Sequence, residues 1–103
     1  MPLSTDVIEV LAEQVHLAWW AEMRRLGYLD LETRDCPRCQ KRLRQIAGGL
    51  LCTSVLCNAV FDTDRRMVGY DKLSDADRGV YRAEVRAVVA SLEELGVLPC
   101  GTL

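Results

Sequence analysis

Aromatic side chains are scarce in this sequence: two tryptophans, three tyrosines and one phenylalanine among 103 residues. A core built from it is therefore mainly aliphatic. A single histidine, no glycine-rich phosphate loop and no paired carboxylates in an obvious cleft leave no catalytic set, so the chain is not expected to be an enzyme. Charge of one sign is lacking too. The net charge is −2 and the pI near 5.3, which gives no global pull toward nucleic acid or an anionic membrane. No apolar run approaches the roughly 20 residues that span a bilayer. The opening MPLSTDVIEV has no basic region followed by an apolar stretch, so no signal peptide is expected and the protein is placed in the cytoplasm. There are no internal repeats. Half of the residues are hydrophobic, and the length suits one domain over 1–103.

What is present starts with two amphipathic stretches. Val7, Leu11, Val15, Ala18, Trp19, Met23 and Leu26 recur every three or four residues, which predicts a helix over 4–26. Asp6 with Glu9 fits a capping box, Ser4 or Thr5 could cap instead, and Gly27 is the expected stop. A second helix is predicted after Ser74, with Asp75 and Asp77 at its positive end and Gly96 and Pro99 closing it. Its stripe is Tyr81, Val85, Val88, Leu92 and Leu95. Neither helix hides its apolar face alone, so the two are expected to pack together. Between them, RLRQIA and NAVFDT have strand composition, and Gly48–Gly49 is a turn signal.

The same middle segment holds four of the five cysteines, spaced C-x2-C, twelve residues, then C-x4-C. Two residues between Cys36 and Cys39 allow both sulfurs to turn toward one ion about 2.3 Å away, and the intervening hairpin returns Cys52 and Cys57 to it. The C-x4-C half departs from the usual second knuckle. A disulfide set and a redox C-x-x-C are the alternatives; a chain without a signal peptide and without a strand–helix–strand context argues against each. Four thiolates suit a closed tetrahedral zinc site, structural rather than catalytic. The pattern CPxC…L…GGLLC…C…VF resembles a zinc ribbon, carried by the four cysteines with Leu43, Gly48, Gly49 and Phe61.

Charge is concentrated here as well. Residues 34–66 carry seven bases and three acids, net +4, against −4 for 1–33 and −2 for 67–103. Arg38, Lys41, Arg42 and Arg44 are candidates for phosphate contacts, although a zinc tetrathiolate itself contributes −2 and solvated charge is the competing reading. Cys100 stands apart as a free thiol.

The flanking helices carry a second resemblance. LAEQVHLAWWAEMRRLGY, with Leu11, Ala12, His16, Trp19, Gly27 and Tyr28, resembles the opening helix of the ryanodine-receptor-type (RyR) domain. Tyr70, Leu73, Asp77, Arg78, Leu92, Leu95 and Gly96 are similar to its second half. The cysteine module stands where that family has a short loop and a His-Pro segment. The resemblance implies a mainly α domain: a small helical core from 4–28 and 69–97 with a zinc-ribbon β-hairpin inserted over 34–63. It also implies a binding or adaptor module of the small bacterial or phage form, taking a protein partner or a small nucleotide-like ligand. His16, Trp19, Trp20 and Tyr70 are then the candidate contacts, with a hydrogen-bonded histidine tying the helix to a loop as the competing reading of His16. A nucleic-acid-associated ribbon protein, or a small regulator that occupies a host protein, is the alternative function.

Overall fold

Residues 5–102 are described by the computed structural model, and they form two α-helices, one 3₁₀ turn and three short strands. Helix α1 spans Thr5–Arg25 and α2 spans Asp75–Glu94; the 3₁₀ turn is Tyr70–Lys72. Strands β1 (Leu43–Ile46), β2 (Gly49–Cys52) and β3 (Val60–Asp62) pair antiparallel in the order β1-β2-β3. The expectation of a mainly α fold is thereby corrected to a small mixed α/β fold. The hairpin has gained a third strand because the chain after Cys57 returns alongside β2, with Leu51 opposite Val60 and Leu50 opposite Phe61. Gly49 is required by that pairing: a Cβ there would collide with the Phe61 carbonyl oxygen.

The chain divides into two compact units. One takes the chain up to Trp19 together with the chain from Tyr70 on; the other is Trp20–Gly69.

In the first unit, the ends of the helices follow capping chemistry. Ser74 is the N-cap of α2, its Oγ accepting from the Asp77 amide at 3.1 Å. At the other end, the Gly96 amide donates to Glu93 and the Val97 amide to Leu92, a Schellman closure. Ser4 as a cap of α1 lies outside the described residues, while Thr5 and Asp6 are already helical. The expected capping box is corrected: Glu9 accepts from the Tyr70 hydroxyl at 3.1 Å and pairs with Arg82 instead of reaching back.

The buried stripe of α1 is rotated from the expected one. Ile8, Ala12 and His16 are buried, whereas Val7 and Leu11 remain about 40% exposed. On α2 the buried set is Tyr81, Val85 and Val89; Val88 and Leu95, expected inside, are exposed. The helices meet through long side chains, His16 lying edge-on to Tyr81 with ring centroids 5.0 Å apart. An apolar groove of about 640 Å³ is left, lined by Leu11, Val15, Ala18, Val85, Val88 and Leu92 among others.

In the second unit, α1 ends as expected. The Gly27 amide donates to Arg24 and the Tyr28 amide to Met23, with Gly27 at φ +99. Asp30 then ties the following loop to the helix, accepting from Trp20 Nε1 at 2.7 Å and pairing with Arg24 at 2.9 Å. The small core beneath the sheet is Leu43, Leu50 and Ala59 with Cys36 and Cys52, flanked by Leu29 and Phe61.

Candidate metal centre

Two loops of the second unit carry the cysteines, and they close alike. After Cys36 the chain turns so that the Gln40 amide donates to the Cys36 carbonyl at 2.8 Å and the Cys36 amide to the Lys41 carbonyl at 2.8 Å. In the second loop, the Asn58 amide donates to Ser54 at 2.7 Å and the Cys52 amide to Ala59 at 2.8 Å. In each loop the residue just after the second cysteine takes a left-handed conformation, Gln40 at φ +62 and Asn58 at φ +49. The C-x4-C half is therefore the C-x2-C closure with two additional residues inside it. Spacing alone did not reveal this, because neither left-handed residue is a glycine.

The four sulfurs converge. Cys36, Cys39, Cys52 and Cys57 place their ligand atoms within 4.8 Å of one another. The Cys39–Cys52 sulfurs are 3.4 Å apart and the Cys36–Cys57 sulfurs 3.8 Å. A tetrahedron of thiolates about 2.3 Å from one ion has edges of about 3.8 Å, so the cluster fits such an ion closely. None of the four is in a disulfide, and Cys100 is a separate exposed thiol.

Electrostatics explain why a cation belongs there. Burial pushes the Cys36 thiol up, but the Cys39 and Arg38 amides and the Cys39 and Cys57 thiols outweigh it and bring it down to about 7. At Cys39 the Lys41 amide acts downward, yet burial and the thiols of Cys52 and Cys36 prevail and raise it. Cys36 ionises readily and Cys39 then resists, since like charges this close disfavour each other. A cation held between these sulfurs would favour the thiolate form at both. Four sulfurs of the chain are available, enough to complete a tetrahedral shell.

The other sequence candidates fall into separate places. His16 exposes no surface; it stacks with Trp19 at a centroid distance of 5.8 Å and meets Tyr70 at 6.2 Å. Trp20 belongs to the other unit, where its ring lies under the Arg24 guanidinium at 4.4 Å. Tyr81, read in the sequence only as a stripe residue, closes the His16 cluster, and Arg82 supplies the counter-charge for Glu9. Arg38, Lys41, Arg42 and Arg44 are all exposed, with Arg38 sitting 5.9 Å over the Phe61 ring. Among the described residues, Lys41, Arg42 and Arg44 form no ion pair.

Comparison with known proteins finds no matching family model, no matching curated protein and no matching solved structure. The site must be read from its own chemistry. A second fact bears on location: among the described residues, no helix is long and apolar enough to cross a membrane.

Proposed function

We propose that the protein is a non-catalytic binding module: its four-cysteine centre holds a structural zinc ion, and its helical unit offers an apolar groove to a segment of a partner protein. The observation that carries the zinc reading is the convergence of four sulfurs on tetrahedral edges. Energetics point the same way. The aliphatic core of that unit centres on Leu43 and Leu50, which contribute about 1.5–3 kcal/mol each. A structural zinc contributes on the order of 10 kcal/mol or more, so the metal does more than the aliphatic core to order this unit.

The helical reading rests on the groove. His16 itself exposes no surface, so a nucleotide stacked against its ring requires the cluster to open. The groove lined by Leu11, Val15, Ala18, Val85, Val88 and Leu92 is accessible as it stands. Its unit carries nine acids against four bases, net −5, which favours a partner segment with basic flanks. The order of helical motifs on either side of the cysteine module supports placing the chain with the RyR-type modules.

Two measurements test this. Elemental analysis is expected to give one zinc per chain, and Cys36→Ser to lose it while Cys100→Ser keeps it; a metal-free wild type sinks the zinc reading. A synthetic amphipathic helix of leucine and lysine is expected to bind the zinc-loaded protein, with Val88→Lys weakening it by about tenfold or more. Equal binding to both refutes the groove.

A further inference from the structure

The most exposed apolar residues of the described chain are adjacent. Val55 is 94% and Leu56 98% exposed. They sit inside the longer of the two cysteine loops, which is clamped by the Cys52–Ala59 and Asn58–Ser54 backbone hydrogen bonds. Held this way, the pair cannot fold back onto its own core. Exposed aliphatics scattered singly are ordinary, but two neighbours on a clamped tip form a protruding apolar knob.

The molecule also presents the matching recess. The groove between α1 and α2 is lined almost wholly by aliphatic side chains, with Glu84 its charged lining residue. Charge favours the match. The helical unit is net −5; the sheet unit carries nine bases against six acids, net +3, or +1 once a zinc tetrathiolate is counted. Cys36 and Cys52 are buried, while Arg38 and Lys41 on the companion loop and Arg42 at the bridge to Asp35 face solvent.

We propose that the occupant of the groove is a second copy of this chain, the Val55–Leu56 tip of one molecule seating in the α1–α2 groove of the next. The inference rests on the groove being a docking site, as read above. Knob and groove are different surfaces, so the contact is heterologous and each joined copy still offers one free knob and one free groove. Assembly then grows with concentration instead of stopping at a dimer. The contact is small, so it is weak and exchanges rapidly.

Sedimentation of the full, zinc-loaded chain from about 10 µM to about 1 mM covers the range such a small contact calls for. The average mass is expected to rise steadily. Val55→Ser/Leu56→Ser and Val88→Lys are each expected to remain monomeric while retaining one zinc per chain. Mixing the two variants is the decisive arm: one has only a groove and the other only a knob, so they form a one-to-one dimer and stop there. A wild type that stays monomeric throughout overturns the inference. So does association that survives in either variant, because the contact then lies elsewhere. The leucine–lysine helix titration reads the groove on its own: binding there beside a monomeric wild type removes the second copy as occupant and leaves the docking site.

Discussion

Glu9 stands three residues after Asp6, the spacing of a capping box, yet its carboxylate serves a contact sixty residues away in sequence. The Arg82 hydrogen bond holds it below the usual carboxylate range; burial opposes this and the Tyr70 hydroxyl adds to it. The folded-state pKa thus lies under the ordinary 4.5, so the unfolded chain takes up its proton first as pH falls. The stabilisation is complete above that value and disappears as pH drops through the folded-state pKa. Glu9→Gln is expected to lower the melting temperature at pH 7, and by progressively less as pH falls below 4.5, by calorimetry. His16 stood out in the sequence through its place in the RyR-like pattern. Its neighbours were not legible, because Tyr70 and Tyr81 come from far along the chain and nothing in local spacing announces them. His16→Ala, removing a fully buried ring, is expected to cost about 2–5 kcal/mol in denaturant unfolding.

The two helices were legible nearly to their ends, since a capping serine, acidic first-turn residues and stop glycines act locally. Ser74→Ala is expected to cost about 1 kcal/mol, measured by thermal unfolding, through loss of the Asp77 amide's acceptor. Their buried faces were harder to read. On α1, Val7, Ile8, Val10, Leu11 and Ala12 put apolar side chains on nearly every side, so periodicity admits more than one stripe. The choice falls to Ile8, Ala12 and His16, the face on which His16 meets Tyr70 and Tyr81. Strand β2 was legible only from its place after the Gly48–Gly49 turn: Gly49, Leu50 and Cys52 are all buried, with no polar alternation to mark a strand. Gly49→Ala is expected to break the β2–β3 pairing, seen as lost amide exchange protection over Val60–Asp62.

Across the whole molecule, stability comes from unlike sources in its two units. The helical one rests on aromatic and aliphatic packing with the Glu9–Arg82 pair; the sheet one rests on few aliphatics around a sulfur cluster. Strong chelation is therefore expected to collapse amide dispersion over residues 34–63 while most of the helical signal near 222 nm survives; both disappearing together refutes separate sources. The four ligands were legible from spacing, while the mixed character of the fold was not, since three-residue and four-residue strands carry almost no pattern. The pair of look-alike loops has one more consequence. Because the longer loop is the shorter one with two residues added, loop length is free to vary without disturbing the ligand set. Excising Val55 and Leu56 turns Cys52-x4-Cys57 into a second C-x2-C, and that trimmed chain should load zinc as readily as the parent. The apolar tip is then a detachable addition to a four-sulfur frame whose closure does not depend on it.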